Sequence, residues 1–210
     1  MMDNNFLKKA IITLPLLLGV ICFFAFRSIE IPPSQYVKYI GDVKNGLHQI
    51  KKVGDWEFDV QYNSCAYIVA NELRSNDLKV NDFNEHMKNL EGLHHFNLKI
   101  GTVNHEDVAK FGISSPSEEY ERLYYFSFLM GKDIKLVEGN DTLSCSAFHF
   151  ERTFDLSHQK SFVLAFEDKH KQEVKEKTLI IDSPIFATGP VKINFSEKNI
   201  KNIPNIKLSR

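Results

Sequence analysis

The sequence predicts an α+β fold: an N-terminal transmembrane helix, then a mainly antiparallel, sandwich-like sheet with a few packed helices. Three observations predict it. An uncharged stretch, residues 10–26 (AIITLPLLLGVICFFAF), lies between Lys8-Lys9 and Arg27. Capped, helix-periodic segments occupy much of the first half. Period-2 segments separated by Gly, Asn and Pro turns fill the second half, as in antiparallel hairpins.

The apolar stretch has 17 residues. As a helix it would reach about 25 Å, against a bilayer core of about 30 Å that helices of about 17 residues or more can span. Lys8 and Lys9 can snorkel to extend that reach. Its end, Phe23-Phe24-Ala25-Phe26-Arg27, lacks the small-residue pattern of a cleavage site. The expectation is therefore an uncleaved signal anchor at 10–26. Residues 1–9 would be cytoplasmic, 27–35 a spacer and 36–210 an extracytoplasmic domain, periplasmic or at the cell surface, as the positive-inside rule orients it. Competing fates are a cleaved signal, a buried core helix, and lipidation at Cys22. Ile21 before that cysteine and Phe23-Phe24 after it depart from a lipoprotein signal.

Pro32-Pro33 stops the anchor helix from continuing. Tyr36, Tyr39, Ile40, Val43, Leu47 and Ile50 have near-helical spacing and predict a helix over 36–53, although Asn45-Gly46 equally marks a turn. Trp56 to Tyr62 alternates strictly and predicts a half-buried strand. Cys65 to Arg74 reads as a helix capped by Asn63 or Ser64. Asp82 with Glu85 resembles a capping box that starts a helix carrying Phe83, Met87 and Leu90 and ending at Gly92. Leu93 to Val103 alternates again, with His94, Phe96, Leu98 and Ile100 on one face. A short helix is expected at 106–111. Ser115-Pro116 with Glu118 is the best-marked helix start. That helix should run to about Met130, and its aromatic content predicts burial on most sides.

Strands follow at 133–138, 142–154, 161–167, 178–182 and 191–195. Leu143, Cys145 and Ala147 have the opposite parity to Phe148, Phe150 and Phe154, which predicts a bulge or two-sided burial. Residues 168–177 are nearly all charged and read as a solvated loop. The tail should be extended, packing Ile200, Ile203, Ile206 and Leu208 at intervals.

About 180 residues beyond the anchor suit one domain, large enough to bury about two-thirds of its surface. Setting aside Asp3, Lys8, Lys9 and Arg27 leaves 23 basic and 26 acidic residues, a balance that argues against nucleic acid as a partner. Cys65 and Cys145 could pair in an oxidising compartment, or stay as two buried thiols. The basic tail residues Lys192, Lys198, Lys201, Lys207 and Arg210 could meet anionic headgroups, or simply be solvated.

Chemistry-bearing motifs are sparse. His149 and Glu151 share one side of a strand and are the candidate metal ligands, awaiting a third. His94 and His95 point to opposite sides of theirs and cannot chelate together. There is no H-E-x-x-H, C-x-x-C, calcium loop, G-x-S-x-G, G-x-G-x-x-G or Walker loop. Glu118, Glu119 and Glu121 are explained by the helix start, and no local group activates Cys65 or Cys145. Asn140-Asp141-Thr142 and Asn194-Phe195-Ser196 match the glycosylation sequon. No catalytic residue and no cofactor is assigned.

The order of a membrane segment, YVKYIGDVKNGL at 36–47, FDVQY at 58–62 and VKINF at 191–195 resembles uncharacterised exported, membrane- or lipid-anchored proteins of Bacteroidota-type bacteria. The expectation is a non-enzymatic role, binding or structural, in the cell envelope. The bilayer would be engaged through 10–26, and an envelope protein would be the partner. The alternatives are a hydrolase or metal-binding enzyme using His149 and Glu151, and a secreted or lipid-tethered soluble domain.

Overall fold

The computed structural model describes residues 29–152, 157–169 and 174–210; the anchor at 10–26 and Cys22 lie outside them. Its centre is an eight-stranded sheet: β2 (His48–Val53), β3 (Trp56–Asn63), β4 (Leu93–Thr102), β5 (Ile134–Glu138), β6 (Asp141–Glu151), β7 (Lys160–Glu167), β8 (Lys177–Ile181) and β9 (Val191–Phe195). The order is β2-β3-β4-β7-β6-β5-β8-β9, with every pairing antiparallel.

The sheet does not fold into a sandwich. It rolls until its edge strands β2 and β9 meet, giving a nearly closed barrel. Side chains make the closure: Gln49 Nε2 donates to Asn194 O, and Lys51 Nζ donates to Lys192 O at 2.9 Å. The carbonyls of the β9 edge thus find donors without a backbone ladder, which blunts an otherwise sticky edge.

Strict alternation fills the interior. Phe58 and Val60, Phe96, Leu98 and Ile100, Phe162, Leu164 and Phe166, and Ile193 and Phe195 are all buried, because even spacing on a pleated strand puts these side chains on one face. β6 carries the expected bulge. Its register with β7 slips between Cys145 and Ala147, so that Leu143 before it and Phe150 after it both point inward.

Helices plug and flank the barrel. α1 (Pro33–Gly41) and α2 (Cys65–Leu73) pack together at one end, with the Tyr36 hydroxyl 2.8 Å from Ser64 Oγ. α3 (Val80–Met87) forms a small second core with α2 through Val69, Leu78 and Phe83. α4 (Pro116–Phe128) lies at the other end, where β5 begins. After α5 (Glu197–Lys201), the tail strand β10 (Asn205–Ile206) pairs in parallel with β1 (Glu30–Ile31).

Several sequence expectations are corrected. The helix expected over 36–53 stops at Gly41, and 48–53 is a strand. Gly46 (φ 70°) and Gly54 (φ 58°) bound β2 with turns that only glycine adopts cheaply. α3 begins at Val80, not Asp82, because the Val80 amide donates to Ser209 O of the tail and no side-chain cap is used. Residues 106–111 make one hydrogen-bonded turn instead of a helix, with Asp107 engaged by the Ala109 amide and by Lys160. The tail is more ordered than an extended coil, and Ile200 is buried on α5. α4, capped by Ser115 as expected, buries only Phe126 fully.

Candidate functional site

The inner-face parity of the strands puts charged residues where apolar ones are the rule. At the end of the barrel near α1 and α2, the inward positions are Tyr62 on β3, His94 on β4, Glu138 on β5 and Lys177 on β8. Glu138 is fully buried, and His94 and Lys177 nearly so. Lys177 Nζ donates to Glu138 Oε1 at 2.6 Å. The other carboxylate oxygen, Oε2, is 3.2 Å from His94 Nε2. Asp168, just past β7, brings its Oδ1 to 3.6 Å from the same nitrogen. Its backbone is fixed by a hydrogen bond from its amide to Gly92 O at 2.9 Å. The Tyr62 ring lies 5.9 Å from the ammonium of Lys177, close enough for a cation–π contact.

This environment sets the proton states. Burial pushes the His94 pKa down, and the Lys177 charge adds to the effect, so the imidazole is held neutral. Burial pushes the Glu138 carboxyl up, but the Lys177 hydrogen bond and charge, together with the His94 hydrogen bond, outweigh it. The net effect holds Glu138 ionised below its ordinary range. His94, Glu138 and Asp168 have ligand atoms all within 4.8 Å of one another, the one such group among the described residues.

The sequence candidates lie elsewhere. His149 and Glu151 are exposed on the outer side of β6. His94 and His95 do point apart: His95 Nε2 lies 3.2 Å from Leu90 O. Cys65 and Cys145 are both free thiols, raised in pKa chiefly by burial, with Cys65 Sγ donating to Leu90 O and Cys145 Sγ to Ala147 O. The Glu118 carboxylate accepts from the Ser114 amide and Ser115 Oγ, as a capping residue should. Of the sequon asparagines, Asn194 donates to Glu176 Oε1 and Thr178 Oγ1. The buried cluster was missed on the sequence, although its signal is there. His94, Glu138 and Lys177 each continue an apolar alternation: Phe96-Leu98-Ile100, Ile134-Leu136 and Leu179-Ile181.

The opposite end carries a different feature. α4 is anchored by Phe126, by Arg122 donating to Val108 O at 3.1 Å, and by the Tyr125 hydroxyl donating to Asp133 Oδ2 at 2.6 Å. Its outer side presents Tyr120, Tyr124 and Phe128, which are 71%, 48% and 62% exposed. They recur every four residues and so stack along one stripe; the rings of Tyr124 and Phe128 are 5.1 Å apart. Phe128 also borders a surface groove of 440 Å³ with Lys132, Lys135, Cys145 and Phe148. Arg152 reaches Ser127 Oγ beside it at 3.1 Å.

Burial raises the Tyr125 pKa, as do the hydrogen bond to Asp133 and the charges of Asp133 and Asp182; a hydrogen bond with Ser183 Oγ opposes them. A pKa above the unfolded value of about 10 stabilises the fold fully below that pH and less as the pH rises past it. Urea midpoints should therefore fall on going from about pH 9 to about pH 11, and Tyr125→Phe should flatten that fall. Parallel losses in both proteins would show that this hydroxyl does not resist ionisation.

Among the described residues no helix is long and apolar enough to cross a membrane. No protein-family model, curated protein or solved structure matches the chain.

Proposed function

We propose that this chain is a single-pass, membrane-anchored domain displayed on the extracytoplasmic side, and that the α4 stripe is where it docks a protein of the cell envelope. The observation that carries the docking role is the exposure of Tyr120, Tyr124 and Phe128. A covered aromatic side chain can bury about 150–250 Å², so the three rings of the stripe offer a partner a contiguous apolar contact. Lys132, Lys135 and Arg152 lie at its Phe128 end. A partner segment that combines apolar side chains with acidic ones is complementary to both. The stripe also lies at the far end of the barrel from β1, where the chain arrives from the apolar stretch. β4, with ten residues at about 3.3 Å each, runs roughly 30 Å along its length from one end toward the other. A tether at one end thus leaves the other free for a partner.

The test is intact mass with membrane fractionation, followed by crosslinking at the stripe. An uncut, unacylated chain in the membrane fraction, resistant to alkaline wash, is the expected result. A photoreactive residue at position 124 should then capture one envelope protein, and Phe128→Ser should weaken that complex about tenfold or more, as hot-spot aromatics do. A mass cut beyond Phe26, or acyl chains on Cys22, would overturn the spanning anchor. Binding indifferent to Phe128→Ser would overturn the docking face.

A further inference from the structure

The geometry points to a divalent metal site, specifically for zinc, built by His94, Glu138 and Asp168 inside the α1–α2 end of the barrel. Three features carry it. The first is spacing. Zinc bonds of about 2.0–2.1 Å in a tetrahedron put neighbouring ligand atoms about 3.3–3.4 Å apart. His94 Nε2 lies 3.2 Å from Glu138 Oε2 and 3.6 Å from Asp168 Oδ1. These two edges bracket that value, and the Glu138 and Asp168 ligand atoms lie within 4.8 Å of each other. An octahedral site with bonds of about 2.0–2.1 Å would want edges nearer 3.0 Å.

The second feature is support around the ligands. Lys177 holds Glu138 Oε1 at 2.6 Å, which fixes the carboxylate and leaves Oε2 turned toward His94. Ligating carboxylates are typically held by such an outer hydrogen bond. His94 rides on β4 between its two ladder partners, β3 and β7, so its ring starts from a rigid strand.

The third is charge and access. The two carboxylates and Lys177 sum to a formal −1, which a dication turns to +1. Glu138 is fully buried and the His94 side chain is 6% exposed, but Asp168 is 24% exposed. A metal can therefore approach past Asp168, and the fourth tetrahedral position would fall to water, as in zinc sites left open on one side. The nitrogen donor weighs against calcium and magnesium.

The test uses the full-length chain in detergent, stripped with a chelator and titrated with zinc chloride by calorimetry. One zinc per chain is expected. Asp168→Asn, at the most exposed ligand, should weaken binding about 100-fold or more, at or beyond the upper end of outer-shell losses. The combined variant Cys65→Ser, Cys145→Ser and His149→Gln should bind as the parent does. Cobalt(II) bound to the unsubstituted protein should show the intense visible bands of tetrahedral nitrogen and oxygen coordination. This readout stands even if a variant fails to fold. No stoichiometric binding, equal binding by Asp168→Asn, loss in the combined variant, or a thiolate-to-cobalt band would each overturn the site.

Discussion

Replacing Lys177 with methionine should destabilise the metal-free domain by about 3–5 kcal/mol, the cost of stranding one partner of a buried ion pair. Glu138 has no solvent-exposed surface, and its Oε1 takes the Lys177 ammonium at 2.6 Å. Methionine nearly matches the lysine stem in length but leaves the carboxylate facing only neutral His94 and anionic Asp168. It also removes the cation over the Tyr62 ring, worth about 0.5–2 kcal/mol. The double variant Glu138→Leu with Lys177→Met should recover most of the loss, because a buried pair replaced by apolar residues of similar volume is often neutral or better. Urea unfolding with chelator present measures all three proteins. A single variant that costs no more than a surface change of about 0.5 kcal/mol would show the pair to be hydrated.

Where the chain alternates, the sequence was a good guide to structure. The strict period of 56–62 and the Val191–Phe195 run became β3 and β9, and the parity break between Ala147 and Phe148 became the bulge of β6, whose register slips just before it, between Cys145 and Ala147. Period alone could not decide 48–53. Leu47 and Ile50 fit a helix as well as a strand, and the outcome turned on two glycine turns and on pairing with β3. Barrel closure was not legible at all, because Gln49 and Lys51 reach backbone carbonyls, which leave no mark in a hydrophobic pattern.

The buried cluster was half legible. A charge on an apolar face can be read one strand at a time, but that three strands bring His94, Glu138 and Lys177 to one end follows from the strand order. Reading 168–177 as a solvated loop hid two members, Asp168 and Lys177. On α4, aromatic content by itself implies burial, yet the same rings suit either a core or a docking stripe. Only packing tells Phe126 from Phe128.

That contrast is also measurable. Phe96→Ala should cost about 3–5 kcal/mol, the usual loss for a buried aromatic ring, whereas Phe128→Ala should stay within about 0.5 kcal/mol. Phe96 is fully buried, and its ring centroid is 5.2 Å from Tyr62, 5.8 Å from Phe166 and 5.5 Å from Phe195. Tyr62 and Phe166 sit on the strands flanking β4, but Phe195 is on β9, at the far end of the strand order. The Phe96–Phe195 contact therefore spans the barrel and helps hold the β2–β9 seam that side-chain hydrogen bonds close. Alanine would leave a cavity beside Tyr62, Phe166 and Phe195. Thermal unfolding should report a midpoint about 6–20 °C lower, at roughly 2–4 °C per kcal/mol for a domain of this size. Amide exchange should rise first in β9, whose outer edge has no backbone ladder, while the β4–β7 amides stay protected. Uniform exchange across the sheet would mean that the seam opens only with global unfolding.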